Sequence, residues 1–252
     1  MRLLQGCLLS LLIIGVLAAC TVRGDISRPI PTDLIAAPHT PQRLVVVLPG
    51  RADNLDTLRR GGVVEAVHGS WPDADVLLAE LTMPHYVQGT APQRLHDEVI
   101  APARLRGYRE IWLSGASLGG MGSVMYDRAY PEQVDGIILL APYLGERAIL
   151  REIAAAGGVE SWDPGPPQAL GKDNWQHEMW RHLRTWADTP ERTRNVWLAY
   201  GERDRLQSAM PLLIPLLPRD HVLVRPGGHA WRVWSPAVEE VLQAASAEAD
   251  AR

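Results

Sequence analysis

The sequence predicts an α/β fold, a mostly parallel central sheet flanked by helices. Three observations predict it. From Leu44 onward short apolar runs alternate with helical patterns, the rhythm that builds a parallel sheet through crossover helices. Those runs are continuously apolar rather than alternating, which implies burial on both faces. The composition is that of a folded domain. Of 252 residues, 46% are hydrophobic and 21% charged, too apolar for a disordered chain.

The chain opens MRLLQGCLLSLLIIGVLAAC. Arg2 is a positive n-region, Leu3 to Val16 is mostly apolar, and small residues follow, so residues 1–19 are expected to be an export signal outside the fold. Leu17-Ala18-Ala19-Cys20 resembles the bacterial lipobox. The resemblance implies cleavage before Cys20 and a diacylglyceryl group on its thiol. Buried acyl chains contribute about 0.8 kcal/mol per CH₂, enough to hold a domain on a bilayer without a spanning helix. Thr21 follows the cysteine, where lipoproteins retained at the inner membrane of Gram-negative bacteria usually carry Asp. The expected location is therefore the cell envelope at the outer membrane. Residues 20–42 hold the lipidated Cys and four prolines, and read as an extended tether. A short N-terminal hairpin packed on the domain is the alternative.

Residues 43–252 are then the domain. Leu44–Leu48 is the first strand, stopped by Pro49-Gly50. Val63–His68 fits a short helix, and Val76–Leu81 the next strand. Arg94–Leu105 has apolar residues at 95, 99, 100, 103 and 105, near helical spacing, although Pro102 perturbs it. Ile111–Ser114 is a strand, Leu118–Ala129 a helix, and Gly136–Ala141 a strand. Asn195–Tyr200 and His221–Arg225 are the last two strands. Pro236 suits the first turn of a final helix running to about Ala247. Between residues 143 and 194 the rhythm breaks. This stretch carries Trp162, Trp175, Trp180 and Trp186 and a Pro/Gly turn at 163–167. It is too long for a connecting loop and reads as an inserted helical cap. Trp180 and Trp186 are expected in the core.

Composition also excludes functions. A formal net charge of −4 argues against charge-driven nucleic-acid binding. Two cysteines form neither a zinc site nor a disulfide framework. Nothing after residue 20 approaches the roughly 20-residue apolar run of a spanning helix.

The chemistry centres on Ser114-Gly115-Ala116-Ser117-Leu118-Gly119-Gly120, which contains G-x-S-x-G. A strand is predicted before it and a helix after it, the setting of a nucleophile elbow. So sharp a turn strains the serine and crowds the backbone, and Gly115 and Gly119 lack the Cβ atoms that would clash. The helix start offers the Leu118 N–H and its positive dipole end to an oxyanion. A dinucleotide-binding loop would need G-x-G-x-x-G, a spacing these glycines do not make.

On these residues the chain resembles the α/β-hydrolase superfamily of serine esterases, from Leu44 to the C-terminus. The resemblance implies that fold with a cap insertion, and a triad ordered nucleophile, acid, histidine. Ser117 is then the nucleophile. His229, in Pro226-Gly227-Gly228-His229 after the last strand, is the base. Asp204, in Gly201-Glu202-Arg203-Asp204 after the fifth strand, is the acid, with Glu202 as its rival. The oxyanion donors fall to the backbone N–H groups of Arg51 and Leu118, with Ala52 as an alternative to Arg51. Pro49 stands where the family usually has His. His85 and Trp231 are possible pocket residues.

The expected function is a lipid-anchored serine hydrolase acting on a small-molecule carboxylic ester through an acyl-enzyme, a mechanism that needs no metal or other cofactor. Thioesterase, lipase, amidase and acyltransferase reactions share the machinery. A non-catalytic envelope binding module is the alternative from another class.

Overall fold

The computed structural model describes residues 25–251. The export signal, Cys20 and the start of the tether lie outside them.

The elements run β1 (Thr32–Ile35), β2 (Arg43–Leu48), α1 (Leu55–Arg60), α2 (Val63–Ser70), β3 (Ala74–Ala79) and α3 (Met83–Val87). A helical stretch follows, made of α4 (Ala91–Leu95), a π-helical turn (His96–Ile100) and α5 (Ala101–Leu105). Then come β4 (Glu110–Ala116), α6 (Leu118–Ala129), β5 (Gly136–Leu140), α7 (Arg147–Ala155), α8 (Trp175–Asp188), β6 (Val196–Gly201), α9 (Met210–Leu213), β7 (Val222–Arg225) and α10 (Trp231–Asp250). The seven strands form one sheet in the order β1-β3-β2-β4-β5-β6-β7. Only β1 is antiparallel to its neighbour.

Continuous apolar strands are buried on both faces here. Val45 and Val47 of β2 point into a core shared with α2 and α10, while Leu44, Val46 and Leu48 point into one shared with α4 and α5. Farther along the sheet, Ile137, Leu139, Val196 and Leu198 join α6, α7 and α8 in a third cluster. Because β2, β4, β5, β6 and β7 are parallel, their C-terminal ends share one edge. The connections leaving that edge are the ones that carry the candidate residues.

Three differences from the expected elements have physical causes. Part of the expected tether, Thr32–Ile35, pairs with β3 as an edge strand, from Thr32 opposite Ala79 to Ile35 opposite Val76. Its alternating exposure is that of an edge, and its Pro29 and Pro31 lie before the strand, where no ladder N–H is needed. The helix around Pro102 continues, but as a π turn just before it. Pro102 lacks the N–H that would bond the Glu98 carbonyl, and the wider turn absorbs the misfit. The final helix begins at Trp231, so Pro236 lies inside it. The five residues before Pro236 are recruited because Val233, Trp234 and Val238 bury on the sheet.

The expected cap segment supplies α7 and α8 between β5 and β6. Trp180 and Trp186 are fully buried, and Trp162 nearly so. The base of α8 is braced to α6: Asp127 accepts from His182 Nε2 at 2.7 Å, Trp186 Nε1 at 3.4 Å and Arg192 Nη2 at 3.4 Å.

Candidate active site

Ser117 sits between β4 and α6 with φ 53° and ψ −108°, a region that residues with a Cβ rarely occupy. Backbone hydrogen bonds to the neighbouring strand and its following loop hold it there. Its N–H donates to the Leu140 carbonyl at 2.8 Å, and its own carbonyl accepts the Tyr143 N–H at 2.9 Å. The flanking glycines are sterically required. A Cβ on Gly115 would lie 2.2 Å from the Gly119 carbonyl oxygen, and one on Gly119 would lie 2.5 Å from that of Leu48.

The acid and the histidine are brought together from the ends of β6 and β7. Their loops are laced by the Glu202 N–H to the Arg225 carbonyl at 2.9 Å and the Arg203 N–H to the Gly227 carbonyl at 2.8 Å. Gly227 takes φ 130°, a conformation that favours glycine. Asp204 is buried. Its two carboxylate oxygens both lie 2.9 Å from Nδ1 of His229, and Oδ1 also accepts the Leu206 N–H at 2.8 Å. Glu202, the rival acid, is exposed. With Nδ1 directed at the carboxylate, Nε2 is the ring nitrogen left to face away from Asp204. That nitrogen is buried and has no hydrogen-bond partner among the described residues. The edge of Trp234 packs against the ring, with centroids 4.7 Å apart and planes at 88°.

The turn after β2 reaches the same place. The Asp53 N–H donates to the Gly50 carbonyl at 3.1 Å, closing a turn with Arg51 and Ala52 exposed at its apex. A Cβ on Gly50 would lie 3.7 Å from the Ser117 Cβ, so the turn stands directly over the serine. The N–H groups of Arg51, Ala52 and Leu118 find no acceptor among the described residues. Such free donors beside a serine are what a developing oxyanion needs.

His85 and Trp231, the two possible pocket residues, each make a side-chain hydrogen bond. His85 is buried in α3, where Nδ1 accepts the Thr82 N–H at 3.3 Å to complete a capping box. Burial, and then the charge of Arg94, holds its pKa below the ordinary 6.5. Trp231 donates Nε1–H to Asp53 Oδ2 at 2.9 Å.

A cavity of about 390 Å³ does open beside α6. Tyr86, Met121, Met125 and Trp175 line its wall, and Val87, Leu170 and Lys172 stand at its mouth. Met121 and Met125 follow Ser117 by four and eight residues along the chain; Ser117, Asp204 and His229 are not among the residues that line this cavity. Trp175 packs on Tyr143, whose N–H holds the Ser117 carbonyl. Sequence reasoning missed Asp53, Tyr86 and both methionines.

Among the described residues no His, Cys, Asp and Glu cluster forms a metal site, and no helix is long and apolar enough to cross a membrane.

The Esterase family model matches residues 82–244. No curated relative matches by sequence. Solved structures match in fold. The S-formylglutathione hydrolase of Staphylococcus aureus is 11% identical over 87% of this chain and 98% of its own, with a TM-score of 0.56. Est1E of Butyrivibrio proteoclasticus is 16% identical over 88% and 94%, at 0.58. FphF, a fluorophosphonate-binding serine hydrolase of Staphylococcus aureus, is 11% identical over 85% and 98%, at 0.57.

Proposed function

The chain belongs to the Esterase family, and from that premise we propose that it is a serine hydrolase cleaving carboxylic esters with Ser117, His229 and Asp204 as its triad. The observation that carries the reading is the Asp204–His229 pair at 2.9 Å, with a free Nε2, at the sheet edge where a strained serine also stands.

The chemistry follows from the geometry. Nε2 of His229 takes the Ser117 proton as Oγ adds to the ester carbonyl. Asp204 holds the tautomer and stabilises the imidazolium. The N–H groups of Leu118 and Arg51, with Ala52 the alternative to Arg51, receive the oxyanion. The C–O bond breaks, His229 returns the proton to the leaving alkoxide, and an acyl-enzyme remains. Water adds by the same route, releasing the acid and the serine. The cavity along α6 receives the apolar part of the substrate. Hydrolysis of a thioester, or acyl transfer to an alcohol, would use the same groups, and product analysis with an added alcohol separates transfer from hydrolysis.

The test is labelling with a fluorophosphonate, read by peptide mass spectrometry. We expect the adduct on Ser117, and its loss in His229→Ala. Ser117→Ala should lower ester turnover to background with the fold intact. A folded protein that takes no label would give first place to a binding module. We also propose that Cys20 carries a lipid anchor placing the enzyme in the cell envelope. Cys20→Ser should then move it from the membrane to the soluble fraction of cells.

A further inference from the structure

We infer that Asp53 is a positioning residue that fixes the oxyanion turn to the histidine-bearing helix, an inference that rests on the triad proposed above. Its backbone and side chain close the turn together. The Asp53 N–H donates to the Gly50 carbonyl at 3.1 Å, and Oδ2 accepts the Gly50 N–H at 3.0 Å. The bonding of Gly50 and Asp53 to each other leaves the N–H groups of Arg51 and Ala52 free at the apex.

The same oxygen, Oδ2, accepts the Trp231 indole N–H at 2.9 Å, from a residue 178 positions later in the chain. Trp231 opens α10, two residues after His229. Its ring packs edge-on against Trp234 at 5.4 Å, and Trp234 packs edge-on against the His229 ring. Gly61 accommodates the indole, since a Cβ there would lie 2.9 Å from Trp231 Cγ. One carboxylate oxygen therefore joins two parts of the site that come from opposite ends of the domain. One part would hold the oxyanion and the other the base. Their separation has to be right to a fraction of an ångström for both to act on one carbonyl.

A carboxylate suits this place because it only accepts, and both partners only donate. Asn at 53 keeps one acceptor oxygen in nearly the same position, whereas Ala keeps none. Phe at 231 keeps the aromatic body and removes the N–H.

The experiment compares Asp53→Ala, Asp53→Asn, Trp231→Phe and the Asp53→Ala/Trp231→Phe pair with the parent protein, reading kcat, KM, thermal midpoint and Ser117 labelling. In Asp53→Ala, kcat should fall about 10- to 100-fold, the scale of a displaced oxyanion donor. KM should stay within about twofold, since the ground-state ester does not use those donors. Asp53→Asn should recover most of the loss. Trp231→Phe should lose less than Asp53→Ala, and the pair should lose no more than Asp53→Ala alone, because both act through one bond. Ser117 should still label, more slowly, in every variant. A folded Asp53→Ala with parental kcat would overturn the inference, and so would losses in the pair that multiply. Failure of Ser117 to label in the parent would instead sink the triad.

Discussion

At the scale of the residue, Ser117 shows how the site stores strain. Its φ 53°, ψ −108° is the mirror image of an ordinary extended conformation, so the cost comes from the Cβ and amounts to about 1–3 kcal/mol. Glycine occupies the mirror region freely, at an entropic cost of roughly 0.4–1 kcal/mol in the unfolded chain. Ser117→Gly and Ser117→Ala should both be inactive, but the glycine variant should be more stable than the alanine variant by about 1 kcal/mol. Urea unfolding of the two decides it, and an alanine variant of equal or greater stability would show that the turn is relaxed. This residue was legible because steric need writes itself locally: Gly115 and Gly119 stand beside the serine they accommodate. Asp204 and His229 were legible for a related reason, since each follows a strand whose apolar run marks where the sheet edge falls. Asp53 was not. Its bond to Gly50 is local, but its link to the histidine-bearing helix runs through Trp231, and nothing within a local window connects those two.

At the scale of the element, strands and helices with a clear period were legible and their ends less so. Leu118–Ala129 is a helix over the residues the pattern marks. Around Pro236 the local preference for a helix start lost to the burial of Val233 and Trp234, which extends α10 back toward the histidine. Residues 32–35 look unremarkable alone and become a strand because β3 offers an edge. The short helix α3 carries a buried imidazole where a pocket residue was expected, and this has a consequence for stability. Burial first, then Arg94, lowers the His85 pKa. The unfolded chain therefore binds a proton at His85 near pH 6.5 that the folded chain refuses. The stability this neutral histidine permits is present above that pH and is lost as pH falls below it. Replacing it with a side chain that does not titrate, as in His85→Gln, should flatten the fall. The urea midpoint should drop less between about pH 7.5 and about pH 5.5 in the variant than in the parent. Parallel pH profiles would mean that His85 titrates alike in both states.

At the scale of the whole molecule, the cavity beside α6 is assembled from parts of the chain that are far apart in sequence. The sequence placed a helical insertion near 143–194, but a cavity depends on surfaces meeting across the fold and leaves no local trace. Its wall combines α3 and α6 with Trp175 of α8, and the Asp127 braces hold α8 against α6. At its mouth Val87, 71% exposed, and Leu170, 39% exposed, stand beside Lys172, so an entering apolar group meets two apolar side chains. Met121 begins the wall one helical turn from Ser117, and Met125 lies a second turn on, about 12 Å along the axis at 1.5 Å per residue. An acyl chain running from the serine would pass the first methionine before the second. Met125→Trp should therefore fill the far end and leave the near end open. Esters of short acids should be turned over at nearly the parental rate. Each methylene that no longer fits should lower kcat/KM by about fourfold, the equivalent of about 0.8 kcal/mol of lost burial. A chain-length series of p-nitrophenyl esters reads this directly. A uniform loss across the series would point to damage at Ser117, and an unchanged profile would place the acyl group outside this cavity. The predicted break in the profile between short and long chains follows only if the cavity and the serine serve one substrate.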